Sequence, residues 1–169
     1  MYITITIIIY VFLPPYMNNS FITNGINIAL STAVNNKEVP VGCAIYINKK
    51  LKTTSQNKTN INKDPLSHCE YIAIHEILME CNISSIISVD IFITLEPCVM
   101  CYRVISDFYN MINGKEHEFN VYFGVYNPIF GISTILPDFI TGEFGYYCME
   151  DKRCIEILKE FYRGENDNK

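Results

Sequence analysis

The sequence predicts an α/β sandwich built on a central sheet. Apolar residues recur at helical spacing in several segments, and short β-branched runs bounded by turn residues lie between them. The 169 residues, 49% of them apolar, suit one compact core of ordinary size. Taken in order, the elements run α-β-β-α-β-α-β-α.

Ile22, Ile26, Ala29, Leu30 and Ala33 follow helical spacing and set the first helix over residues 21–34. The run GCAIYI, residues 42–47, is a strand; Asn48-Lys49-Lys50 turns it, and residues 51–55 pair back as a second strand with a polar face. After the loop at Asp64-Pro65, Ser67 is placed to cap a helix over residues 68–80, with Ile72, Ile74, Ile77 and Leu78 on its core face. Residues 89–95 form a buried strand. Pro97 stands at the first position of the next helix, which runs to about Tyr109. Residues 119–126 are a further strand, and residues 154–162 a final amphipathic helix.

Residues 2–13 (YITITIIIYVFL) are almost wholly apolar and end at Pro14-Pro15. They are too short to span a bilayer, which needs roughly 20 residues. They also lack the basic start and small-residue cleavage site of a signal peptide. An added edge strand fits the alternation, but the preferred reading is a start codon placed too early, with Met17 beginning the protein. The expected organisation is therefore an apolar extension over 1–16, one domain over 17–163 and a polar tail over 164–169. The 27 Ile and 17 Asn against four Ala are ascribed to A/T-rich coding.

The net charge of −5 argues against a free-standing nucleic-acid binder, because phosphate affinity comes from clustered Lys and Arg. Lys49, Lys50, Lys52 and Lys58 gather near the first hairpin, where a solvated turn is favoured over phosphate contact. Of the aromatic residues Tyr109, Phe119, Tyr122, Phe123 and Phe130, only Phe130 is set apart as a base-stacking candidate; the others are assigned to the core. Seven cysteines, two of them spaced Cys-x-x-Cys, indicate metal binding in a reducing compartment rather than a disulfide framework.

Two segments carry chemistry: Ser67-His68-Cys69-Glu70 and Glu96-Pro97-Cys98-Val99-Met100-Cys101. Each opens a predicted helix. Cys98 and Cys101, three apart, share a helix face and lie in the first turn, where the helix dipole favours thiolates. His68 adds a neutral nitrogen. Three ligands leave a fourth tetrahedral position for water, the arrangement of a catalytic zinc. Glu70, two residues past the ligand, is placed to move the proton from that water to a leaving amine. By itself Cys-x-x-Cys also occurs in redox sites and structural zinc modules, and His-x-Glu is weaker still. Cys148 and Cys154 are too far apart to supply a structural second pair. The ordered combination matches the signature of zinc nucleobase deaminases.

Over residues 21–162 the sequence resembles the tRNA adenosine deaminases of the cytidine-deaminase superfamily. The resemblance rests on Glu38-Val39-Pro40-Val41-Gly42, Asn57, Asp64-Pro65, His68 and Glu70, and residues 94–101 (TLEPCVMC), followed by Tyr122-Phe123-Gly124 and Asn127. It implies a three-layer α/β/α fold with a mixed sheet of about five strands. It also implies zinc held by His68, Cys98 and Cys101, with Glu70 as proton shuttle, Pro40 and Val41 lining the base pocket, and Asn57 bonding the target purine. The closing residues 158–163 and Glu165-Asn166 are most similar to the catalytic subunit of the eukaryotic heterodimeric enzyme. The implied reaction converts adenosine to inosine at wobble position 34 of tRNA anticodons. The implied partners are tRNA carrying A34 and a related non-catalytic subunit, alternatively a second copy of the chain, in cytoplasm or nucleus and away from membranes.

Several residues depart from the family pattern. Cys69 stands in place of alanine, where packing is favoured over zinc ligation. Tyr102-Arg103 replaces small residues, and residues 114–118 form an insertion. The loop glycines thin to Gly131-Ile132-Ser133, and the basic tail shrinks to Lys169. With the −5 charge, this last departure predicts that basic surface is borrowed from a partner. The alternatives are a free cytidine or dCMP deaminase and a non-catalytic, zinc-containing RNA-binding subunit; Glu70 argues against the latter and Tyr102 mildly for it.

Overall fold

The computed structural model describes residues 19–33, 38–112 and 116–167. Helix α1 (Asn19–Ala33) precedes the hairpin β1 (Gly42–Ile47) and β2 (Lys50–Gln56). A short helix α2 (Thr59–Asn62) leads to α3 (Cys69–Glu80), β3 (Ser88–Leu95), α4 (Val99–Met111) and β4 (Glu118–Val125). A four-residue helix α5 (Ile132–Ile135), strand β5 (Gly145–Cys148) and helix α6 (Lys152–Asp167) complete the order. The sheet is mixed, in the order β2-β1-β3-β4-β5. β1 is antiparallel to β2 and to β3, whereas β3–β4 and β4–β5 are parallel.

Strand periodicity explains the three layers. On β1, β3 and β4, Cys43, Ile45, Val89, Ile91, Ile93, Phe119, Val121 and Phe123 face a core shared with α3 and α4. The alternate residues Ala44, Tyr46, Phe92 and Tyr122 face the other way, against Ile22, Ile26 and Ala29 of α1 and Cys154 of α6. Both sheet faces are thus covered, as buried parallel strands require. Asn48 and Lys49 take positive φ in the hairpin turn, at 52° and 62°. Their strain is offset locally: Asn48 Oδ1 accepts from Ile87 and Ser88, and Lys49 Nζ lies 2.9 Å from buried Asp90 and from Glu118. Lys49 and Lys52 are ion-paired, Lys52 with Glu80, in keeping with a structural hairpin.

Sequence patterning alone finds four strands and overlooks β5, whose four half-buried residues lack alternation. It also overlooks α2 and α5, each a single turn. Two helix starts shift. His68, not Ser67, is the N-cap of α3, because Ser67 donates its hydroxyl to Asp64 Oδ2 at 2.8 Å. Cys98 is the N-cap of α4, so Pro97 precedes the helix rather than opening it. On α3, Ile74 and Ile77 are buried and Leu78 packs partly, while the inner face is completed by Cys69 and Ala73 instead of Ile72. Helix α6 continues through Gly164 to Asp167, into the stretch that composition marks as a polar tail. The extension 1–16 lies outside the described residues, as do residues 113–115 at the expected insertion.

Close approach of α1 to β3 requires Gly25, where an added Cβ would lie 2.5 Å from the Phe92 ring. Alanine gains about 1 kcal/mol of helix propensity there, but overpacking costs about 1–3 kcal/mol. Because Phe92 is fully buried between rings of Tyr46 and Tyr122, the clash prevails. Gly25→Ala should lower the thermal midpoint by about 2–6 °C, measured on zinc-loaded protein; an unchanged or raised midpoint would show that the helix shifts without cost.

Candidate metal centre and active site

Strand direction assembles the site at one edge of the sheet. β2, β3, β4 and β5 run one way and β1 the other, so the ends of β2, β3 and β4 meet the start of β1. That edge holds Asn57 after β2, Glu96 and Cys98 after β3, Asn127 after β4, and Val39 and Val41 before β1. A cavity of about 1020 Å³ opens there. Its lining is mostly apolar, with His68, Glu70 and Cys98 among its polar members.

His68, Cys98 and Cys101 converge because two helices begin at the same place. His68 caps α3 and Cys98 caps α4, both in extended backbone. His68 Nδ1 lies 3.7 Å from Cys98 Sγ and 3.5 Å from Cys101 Sγ, and all three ligand atoms fall within 4.8 Å of one another. Tetrahedral zinc with bonds of about 2.3 Å to sulfur and about 2.0–2.1 Å to nitrogen places nitrogen and sulfur roughly 3.6 Å apart. The donor set therefore fits zinc in chemistry and in spacing.

The three groups of the cluster hold their protons unequally. The Cys98 thiol is pulled down to about 4, first by the hydrogen bond from Cys101 and further by His68. Cys101, the buried donor of that bond, is pushed up. His68 is raised by its bond to Cys98 against the opposing effect of burial. Glu70, only 4% exposed, is held above the ordinary carboxylate range by burial. The Cys69 thiol donates to Glu70 Oε2 at 3.1 Å. Cys69 is fully buried and outside the ligand cluster, so it packs, as expected.

Asn57 has two sides. Its Oδ1 accepts the Cys69 N–H at 3.0 Å, supplying the helix cap that His68 does not. A backbone N–H can only donate, so this bond fixes the amide orientation and leaves Nδ2 as the donor for the cavity. Val41 lines the cavity, but Pro40 does not. The Val41 N–H reaches the Val39 carbonyl at 2.7 Å, turning the chain tightly about Pro40. Val39 therefore joins Val41 in the wall, and Pro40 is buried elsewhere. Phe130, 65% exposed, lines the mouth, whereas Tyr109, Phe119, Tyr122 and Phe123 lie in the core. The apolar face of α6, through Ile155, Leu158 and Tyr162, supplies a wall that local patterning could not assign to the site.

Residues 17–112 match the family described as the cytidine and deoxycytidylate deaminase zinc-binding region. The chain belongs to this zinc deaminase family. It is 32% identical over 148 residues to tRNA-specific adenosine deaminase 2 of Xenopus laevis, covering 80% of this chain and 81% of that protein. It is 30% identical over 139 residues to the tRNA-specific adenosine deaminase of Rickettsia felis, covering 78% and 91%. A solved structure from studies of A-to-I editing by tRNA:A34 deaminases superposes with a TM-score of 0.65 at 24% identity, over 80% of this chain and 99% of that one. A guanine deaminase from Nitrosomonas europaea superposes at 0.62 with 13% identity, over 91% and 96%. These two structures establish the fold.

Within this deaminase, a serine at position 98 or 101 replaces a thiolate ligand with a hydroxyl that stays protonated. Cys98→Ser and Cys101→Ser should each fall from one zinc per chain to below about 0.1, with a lower thermal midpoint, because metal binding and folding are coupled. Elemental analysis of the purified variants checks this; full zinc retention would remove the replaced cysteine from the ligand set.

Proposed function

We propose that this zinc deaminase converts adenosine to inosine at wobble position 34 of tRNA anticodons, as the catalytic subunit of a heterodimer. The carrying observation is Glu70: a buried carboxyl opening into the cavity beside the His68, Cys98 and Cys101 cluster. The substrate assignment follows the relatives named tRNA-specific adenosine deaminase, one of which, from Schizosaccharomyces pombe, is named as a subunit, tad2. Zinc held by His68, Cys98 and Cys101 supplies the Lewis acidity that makes water nucleophilic near neutral pH.

The remaining steps belong to the chain's own residues. Asn57 Nδ2 orients the purine by donating to it, while Val39 and Val41 hold its apolar faces and exclude water. The Glu70 carboxylate takes a proton from the attacking water and delivers it to the departing amino group, so that water enters and ammonia leaves. Burial suits Glu70 to both roles, because a raised pKa makes it a better base before the transfer and still lets it release the proton.

The partner is inferred from charge. Lys49, Lys52, Arg103 and Arg153 are each ion-paired within the chain, and the whole carries −5. A related subunit that adds basic surface would supply the phosphate contacts. No helix among the described residues is long and apolar enough to cross a membrane, and the proposed site of action is the cytoplasm or nucleus.

Inosine formation on A34-containing tRNA, with and without a co-expressed partner subunit, tests this reading. Glu70→Gln should keep its zinc and lose turnover by about 10²–10⁴-fold. Wild-type activity on free cytidine or dCMP, and none on tRNA, would replace the substrate assignment. Asn57→Asp retains the acceptor that caps α3 and removes the donor, so it should fold and hold zinc yet turn over poorly. Asn57→Ala removes both and should also lose about 1 kcal/mol of stability, read by thermal unfolding. Equal stability of the two variants would remove the capping role.

A further inference from the structure

Glu96 is 1% exposed at the end of β3, and the proton chemistry above does not use it. Its two oxygens reach opposite ends of one loop. Oε2 accepts the Asn127 N–H at 3.1 Å, and Oε1 accepts the Ser133 N–H at 3.1 Å. Between those anchors, Asn127 Oδ1 accepts from Ile129 at 3.2 Å and Phe130 at 3.0 Å, and the Asn127 carbonyl accepts from Gly131 at 3.1 Å. Gly131 completes the fit, because a Cβ there would collide with Glu96 Oε2 and the Asn127 carbonyl. The same loop is joined to the metal helix: Gly131 bridges Cys98, and the Ile132 N–H donates to the Pro97 carbonyl at 3.1 Å.

The buried network holds an exposed product. Ile129 and Phe130 are 64% and 65% exposed, and both line the cavity mouth. Core packing does not account for two large apolar side chains held in water by a buried carboxylate. A rim ordered before binding does, since the substrate then meets side chains whose freedom is already restricted. A carboxylate suits this position better than an amide. Both partners are N–H donors and a carboxylate is acceptor-only, whereas an amide would turn its NH₂ toward one of them.

We infer that Glu96 is a positioning residue whose carboxylate clasps both ends of the 127–133 loop, holding Ile129 and Phe130 ready for the nucleotide beside the target base. The nucleotide rests on the proposed RNA substrate; the clasp does not.

The test uses zinc-loaded wild type, Glu96→Gln and Gly131→Ala, the last reaching the same contact from the opposite side. Amide hydrogen exchange across residues 127–133 should quicken at least tenfold in both variants, with one zinc per chain retained. On an A34-containing anticodon stem-loop, each protein being co-expressed with the partner subunit, KM should rise at least tenfold in both, by a larger factor than kcat falls. Unchanged exchange would overturn the clasp, as would loss of zinc, which would place Glu96 in support of the metal instead. A fall in kcat at constant KM would overturn the rim assignment. If wild type co-expressed with the partner subunit does not deaminate the stem-loop, the substrate reading fails, while exchange and zinc content still decide the clasp.

Discussion

Because β1 runs against the other four strands, one edge of the sheet gathers segments that are far apart in sequence. The ends of β2, β3 and β4 deliver Asn57, Glu96 and Asn127, and the entry to β1 delivers Val39 and Val41 to the same cavity. Ligands in α/β folds bind beyond the carboxyl ends of strands for this reason: chain leaving a parallel sheet must turn there, and helices begin there. Here α3 and α4 begin at His68 and Cys98, two of the three groups that could hold a metal ion. If either helix started a residue earlier or later, His68 or Cys98 would leave the extended cap position from which it reaches the centre.

The site concentrates groups that are costly to bury, and each is compensated by a neighbour. A carboxylate without water needs donors or a cation. Glu96 has two backbone N–H donors. Glu70 has the Cys69 thiol and otherwise faces the metal cluster, and burial accordingly favours its protonated form. Asn57 links fold and chemistry, since the bond that caps α3 also decides which end of its amide meets the cavity.

Departures from the family pattern find structural explanations. Tyr102 is buried against Phe144 and Tyr146, so the larger side chain fills space between α4 and β5. Arg103, exposed on the same helix, pairs with Asp107 one turn on at 2.8 Å. Cys69 occupies a fully buried position at the start of α3, where its thiol is also a donor to the Glu70 carboxyl. With all three in place, the ligand atoms of His68, Cys98 and Cys101 lie within 4.8 Å of one another.

The convergence of His68, Cys98 and Cys101, with Glu70 in the same cavity, was legible in the sequence because it depends on short spacings at helix starts, and local order preserves such spacings. The long strands and helices were legible because burial on one or two faces leaves a period in the residues. Strand β5 and the single-turn helices left none, being short and half-exposed. Pro40 lies away from the cavity because a tight turn, invisible in composition, exchanges which neighbour faces it. The wall built by α6 and the Glu96 clasp join residues tens of positions apart, and no local period or spacing records such contacts. The sequence by itself therefore determined the fold class and the metal chemistry, both of which follow from short-range pattern. Tertiary structure alone decided the shape of the cavity and what holds its rim, because both depend on which strand ends the sheet brings side by side.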